Sequence, residues 1–175
     1  KRQLLPEIQC LIPQRIERYV EPFMGGAAVF FHLAPEKALL NDINKELVNC
    51  YTVIKTSPNE LIKELKKHVY HIEYYNEIRS LDRTEGGLLA LSKIARASRF
   101  IYLNRTGFNG LYRVNSKGFF NVPMGRYKNP RIVNEDGILA CARCLQSAEI
   151  TNTGFEETLM GTRTGDFVYL DPPYI

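Results

Sequence analysis

The stretch "RYVEPFMGGAAVFFHLAPEKALLND", residues 18 to 42, decides the fold. Arg18 to Pro22 reads as a strand, and the glycines at 25 and 26 mark a turn. A helix is predicted from Gly26 to about Leu33, and "KALLND" reads as a second strand ending at Asp42. "INKELVNCYTVIKT" follows, with Leu47, Cys50, Tyr51 and Ile54 at helical spacing. Strand, helix, strand, helix is the βαβ pattern of a parallel sheet.

Glycines at a strand-to-helix turn let a ligand approach the backbone closely. Here the full GxGxxG of dinucleotide binders is missing, and Glu21 stands directly before the turn. A carboxylate there repels a pyrophosphate and suits a cation, which argues against a dinucleotide-dependent oxidoreductase. Asp42, at the end of the second strand, has the position of an acid that accepts bonds from ribose hydroxyls. A nucleoside without phosphate and with a positive centre fits both acids, and S-adenosyl-L-methionine is such a molecule. The competing reading is that Glu21 and Asp42 only cap helices.

The chain has 175 residues, enough for one medium domain or a domain with a sizeable insertion. No apolar run approaches the roughly 18–20 residues of a membrane span. The first ten residues lack the apolar core of a signal peptide. Cys10, Cys50, Cys141 and Cys144 do not form a disulfide framework. The Cys141/Cys144 pair lies in "GILACARCLQS", an amphipathic helix pattern without the second pair a zinc knuckle needs, so no metal is expected. A reduced, cytoplasmic protein fits.

Charge is unevenly spread. Residues 55 to 131 carry 15 Lys+Arg against 6 Asp+Glu, and residues 86 to 134 hold nine basic side chains and no acid. An acid-free stretch interleaved with Tyr, Phe, Asn and Gly points to a nucleic-acid surface more than to a solvated face. Within it, helices are predicted after the Ser57-Pro58 cap, over "EYYNEIRSL", and over "GGLLALSKIARASRFIYLN" as one long element. "LYRVNSKGFFNV" reads as a β-hairpin with its turn at Asn115 to Gly118. Helix returns at Glu135 to Ser147, followed by a strand "AEITN", a short helix or turn "FEETLM", and a buried strand "DFVYLD".

That last strand runs into Asp171-Pro172-Pro173-Tyr174. The prolines forbid further pairing and leave Asp171 at the carboxyl end of the strand, where open α/β sheets bind ligands. An exocyclic amine on a nucleobase is a poor nucleophile. A carboxylate and a fixed carbonyl that accept its two N–H bonds direct the lone pair outward, and a stacked Tyr174 holds the base flat. A base reaches such a pocket only by leaving the helix.

These motifs, "EPFMGG", "NDIN", "FIYLNRTGFNGLYRVNSKGFFNVPMGRYKNP" and "DFVYLDPPY", resemble in kind and order those of the Dam-like DNA N6-adenine methyltransferases. The resemblance covers nearly the whole chain. It implies a Rossmann-like α/β methyltransferase sheet, incomplete here, with an inserted helical and hairpin DNA-recognition domain. Residues 1–55 and 134–175 would form the cofactor-binding catalytic domain, and 56–133 the target-recognition domain. Glu21, Pro22, Phe23, Gly25, Asp42, Ile43 and Asp171 would line the cofactor site, and Phe155 would pack on the cofactor's adenine. Gly154 stands where the family often has an acid. Lys1 would be the last residue of a "GGK"-type motif. The chain is expected to be cut just after its catalytic loop, with Tyr174 and Ile175 less well fixed than in an intact enzyme.

Within "NRTGFNGLYRVN", Arg113 has the fork that bonds guanine bidentately. Leu111 and Pro123 offer contacts to thymine methyls, and Phe108 and Asn109 could fill the gap left by a flipped base. Arg126, Tyr127 and Lys128 would hold phosphates. Asn104, Arg105 and Asn115 complete the expected DNA-binding set. The hairpin is similar to that of family members reading GATC. The expected partner is double-stranded DNA, with the enzyme a monomer in a bacterial or phage cytoplasm. A cognate restriction endonuclease would be a system partner without direct contact. Two other readings stand beside this one: methylation of cytosine N4 or RNA adenine, and a DNA-binding module without activity.

Overall fold

Strand β1 (Arg18–Glu21) is covered on both faces, with Tyr19 and Val20 fully enclosed, as a central strand of a parallel sheet must be. The computed structural model describes residues 5–173. In order these form α1 (Leu5–Leu11), β1, α2 (Ala28–Leu33), β2 (Ala38–Asn41), α3 (Lys45–Thr56), α4 (Pro58–Leu65), α5 (Ile72–Ser80), α6 (Lys93–Thr106), α7 (Glu135–Leu145), β3 (Ala148–Thr151), α8 (Phe155–Met160) and β4 (Asp166–Val168).

The strand order is β3-β2-β1-β4, and every pair is parallel. Tyr19 pairs with Ala38 on one side and Phe167 on the other. Its ring packs 6.3 Å from that of Phe30 on α2 and 6.1 Å from that of Phe167. This is the expected α/β architecture. The segment from α4 to the hairpin adds no strand to the sheet. Its helix α4 nevertheless sends Leu61, Ile62 and Leu65 into the sheet's core, together with Ala97 of α6. A second, smaller core gathers Tyr75, Tyr102, Leu103, Phe120 and Val122 under the hairpin.

Several expectations are corrected. Helix α2 starts at Ala28 instead of Gly26, because Gly25 and Ala27 both take left-handed backbone angles and lengthen the turn. Ser57 makes no side-chain cap to α4, whose start relies on Pro58 in the first turn. The long helix expected from residue 86 is broken. Gly86 and Gly87 have positive φ, Gly87–Ala90 is a 3₁₀ turn, and α6 begins only after Ser92, whose hydroxyl accepts the Ala95 N–H at 3.1 Å. The last strand is half-buried, not buried, and Leu170 is 53 % exposed. Among the described residues β4 is an edge strand, with β1 as its paired neighbour. The hairpin turn falls where expected: Gly118 N–H donates to Asn115 O, and Asn115 N–H to Phe119 O. Its arms make only the isolated pairings Val114/Phe120 and Gly107/Met124.

The basic run also divides. Arg96 forms an ion pair with Glu46 of α3, and the buried Arg99 reaches Asp82 at 3.1 Å. Both acids lie outside the acid-free stretch, so sequence distance concealed the pairing. Lys93, Arg105, Arg113, Lys117, Arg126, Lys128 and Arg131 remain exposed.

The imidazole of His68 is stacked 4.4 Å from the ring of Tyr102 and bridges Tyr74 OH (2.8 Å) and Ser98 Oγ (2.9 Å). Burial pushes its pKa down to about 4, against a smaller upward pull from Glu64. The unfolded chain therefore binds a proton, between about pH 6.5 and 4, that the folded chain refuses. Stability should fall as pH drops through that window, by about 2 kcal/mol once partial solvent access is allowed for. Denaturant melts at pH 7 and 4.5 check this. His68→Gln should remove much of the slope; an unchanged slope would exclude His68 as its source.

Candidate active site

The sheet order brings three acids to one edge. Glu21 ends β1, Asp42 follows β2, and Asp171 lies just beyond β4. Since β2, β1 and β4 are neighbours about 4.8 Å apart, the three acids gather at the carboxyl edge, with Glu21 level with Leu40, and Asp42 and Asp171 each two positions beyond that level.

Glu21 is 3 % exposed, and its Oε2 accepts the hydroxyl of Tyr19 at 2.8 Å. Burial and this carboxylate push the Tyr19 hydroxyl far above its usual range. Asp42 is held from both sides: Oδ2 accepts the Gly25 N–H at 3.0 Å and Oδ1 the Asn44 N–H at 2.9 Å. Each carboxylate oxygen has two acceptor sites, so Asp42 is oriented by these bonds and keeps capacity for a ligand. Asn44 in turn caps α3, accepting from the Glu46 and Leu47 N–H groups. The helix-capping alternative for Asp42 thus belongs to its neighbour.

The turn between them is shaped for close approach. Gly25 has φ 44°, and a Cβ there would meet nothing within 4 Å, so the space beside the backbone is open. Phe23 and Phe155 face each other with centroids 5.2 Å apart, and Ile43 is 76 % exposed next to Asp42. Open turn, oriented acids and two partly exposed aromatics fit a nucleoside with a cationic centre.

A residue missed by the sequence reading organises this edge. Asn41 is buried, and its Nδ2 donates to Pro22 O and Thr153 O, both at 3.1 Å. Its Oδ1 accepts from Thr151 Oγ1, Thr153 N–H and Thr153 Oγ1. The side chain ties the ends of β1, β2 and β3 together. A polar residue closing the apolar run "ALL" was the available signal.

Beyond β4, Tyr169 N–H still donates to Val20 O, and pairing then ends. Asp171 is half-buried, while Pro172 and Pro173 are exposed. Lys1, Tyr174 and Ile175 lie outside the described residues.

The expected DNA-contacting residues divide into groups. Phe108, Asn109, Pro123, Arg126 and Tyr127, up to nineteen positions apart, line one hollow of about 470 Å³. Phe108 N–H donates to Pro123 O, and Gly125 N–H to Thr106 O, which ties the two segments. Asn109 has φ 53°, a left-handed angle that Asn tolerates better than most residues. Tyr127 is pinned by its hydroxyl on Gly107 O and its N–H on Tyr70 OH. Leu111, Arg113 and Lys128 are exposed nearby in the chain. Asn104 donates to Gly110 O at 2.5 Å and, with Arg105, lines a different cavity of about 680 Å³ that reaches Gly25. Asn115 spends its oxygen on its own turn, accepting the Lys117 and Phe119 N–H groups.

A family model described as D12 class N6 adenine-specific DNA methyltransferase matches residues 1–175. The chain belongs to this family. Among its curated relatives, it is 50 % identical to the type II methyltransferase M1.LlaDCHI of Lactococcus lactis subsp. cremoris, over its full length and 63 % of the relative's. It is 37 % identical to type II methyltransferase M.MjaIII of Methanocaldococcus jannaschii, with 99 % of the chain and 66 % of the relative covered. The DNA adenine methylase of Vibrio cholerae serotype O1 is 36 % identical, with 99 % and 62 % covered. The chain thus spans about three fifths to two thirds of the length of these relatives.

Proposed function

We propose that this D12 protein moves a methyl group from S-adenosyl-L-methionine to N6 of an adenine flipped out of duplex DNA, within GATC. The observation that carries the reading is the neighbouring order of Glu21, Asp42 and Asp171 along one sheet edge, beside the open Gly25 turn. When bound, the cofactor supplies an activated methyl group. Asp42 would accept its ribose hydroxyls, Glu21 would stabilise its cationic side, and Phe23, Ile43 and Phe155 would enclose its base. Lys1 and Pro22 would complete that site.

The Asp171 carboxylate and the Pro172 carbonyl would each accept one N–H of the adenine amine, with Tyr174 stacked on the ring and Pro173 stiffening the loop. The nitrogen lone pair is then aimed outward, and placement supplies much of the acceleration. Residues 56–133 would read the target, rooted in the sheet's core through α4. Arg113 would bond guanine; Leu111 and Pro123 would meet thymine methyls; Phe108 and Asn109 would fill the vacated stack. Arg105, Arg126, Tyr127 and Lys128 would hold phosphates, with Asn104 and Asn115 shaping the reader.

Methyl transfer from labelled cofactor should be high on duplex DNA with GATC and absent once its adenines are methylated. Equal transfer to both removes the GATC reading. Transfer to single-stranded RNA or to cytosine instead would assign a different amine. Arg113→Ala should cost about 1–3 kcal/mol of discrimination at the guanine, roughly 5- to 150-fold. A preserved preference would exclude Arg113 as the reader.

A further inference from the structure

We propose that Asn121 is a positioning residue for base reading: it holds the guanidinium of Arg113 in one orientation and so sets how sharply the guanine is discriminated. The inference rests on the reading of Arg113 given above.

The two residues face each other across the hairpin. Asn121 N–H donates to Arg113 O at 3.0 Å, and Arg113 Nε donates to Asn121 Oδ1 at 2.8 Å. Arginine has only donors, so the oxygen of the amide must be the atom turned toward it. With Nε occupied, the terminal Nη groups, which make no bond among the described residues, are left as a two-pronged end. That end matches the O6 and N7 acceptors of guanine.

Asn121 is well suited to this task because the residues on either side of it are held. Its neighbour Phe120 is bonded on both sides of the peptide, with Asp82 Oδ2 accepting its N–H at 2.7 Å and Arg83 Nη2 donating to its carbonyl at 2.6 Å. Its other neighbour, Val122, has its carbonyl bonded by Tyr75 OH (3.1 Å) and Arg79 Nη1 (3.4 Å). Phe120 and Val122 are both buried. By contrast, residues 111 to 118 are all exposed. A long arginine side chain there has many rotamers to lose, and a bond to a fixed partner restricts them before DNA arrives.

The test is methyl transfer by the intact protein to GATC duplexes and to duplexes with the guanine replaced. Asn121→Ala should lower the discrimination ratio about tenfold, while binding of non-specific duplex and of cofactor stays unchanged. Asn121→Asp, which keeps the acceptor, should retain most of the ratio. Combining Asn121→Ala with Arg113→Ala should add little to the loss from Arg113→Ala alone, because one bond is removed by either change. Additive losses, or an unchanged ratio in Asn121→Ala, would overturn the proposal. If Arg113→Ala itself leaves the ratio unchanged, the reading of Arg113 fails first.

Discussion

Asp171→Ala should lower kcat for methyl transfer by at least roughly 10²–10³, the cost of removing one preorganised group at a reacting centre. Cofactor affinity should change little by comparison, because the other acids of the sheet edge, Glu21 and Asp42, are held by bonds independent of it. Asp171→Asn separates charge from shape. Its Oδ1 can still accept the one N–H assigned to this side chain, but the negative charge that offsets the cation developing on nitrogen is lost. Its loss should be smaller than that of Asp171→Ala. Single-turnover methyl transfer, with cofactor binding followed by calorimetry, separates the two effects. Near-normal turnover in Asp171→Ala would exclude the proposed role of the carboxylate as acceptor.

The second large effect is on the framework that holds the hairpin. Asp82 has a side chain only 7 % exposed, and it joins three parts: the Phe120 N–H of the hairpin, Arg99 of α6, and Arg83, whose Nη1 lies 3.5 Å away. Arg99 is equally enclosed and also donates to Ile78 O and Arg79 O. Burial pulls the pKa of Arg99 down, and Asp82 opposes the shift. Asp82→Ala leaves a buried cation without its counter-charge and a strand N–H without its acceptor. A loss of about 3–5 kcal/mol is expected, the usual result of breaking a buried pair on one side. At about 2–4 °C per kcal/mol, the melting point of a protein this size should fall by roughly 6–20 °C. Adding Arg99→Met to Asp82→Ala should recover part of this, since the stranded charge is gone. Calorimetric melts of the three variants test the coupling. A double variant losing the full sum of both single changes would show that the pair acts as two independent contacts.

The site was legible to different depths. Glu21 and Gly25 could be placed together because one strand-to-helix turn holds both, and Asp42 because it closes the next strand of the βαβ pattern. Asp171 could be read because two prolines end a strand unmistakably. Asn41 was passed over although it stands next to Asp42. Its importance comes from bonds to Thr151 and Thr153, 110 and 112 residues away. Asn115 shows the reverse case. It has the composition of a DNA contact, yet its oxygen closes its own turn.

Sequence by itself therefore determined the parallel α/β order, the acids at the ends of its strands and the family, because periodicity, turn chemistry and motif spacing are local properties of the chain. Tertiary structure decided which basic residues face outward. Arg96 and Arg99 sit in the same acid-free run as Arg113, but the fold carries Glu46 and Asp82 to them, and they became internal ion pairs. It also decided that Arg113 meets Asn121, since only the closed hairpin sets the two side chains opposite each other. Charge pairing depends on distance in space, and the sequence fixes that distance only after the whole chain has folded.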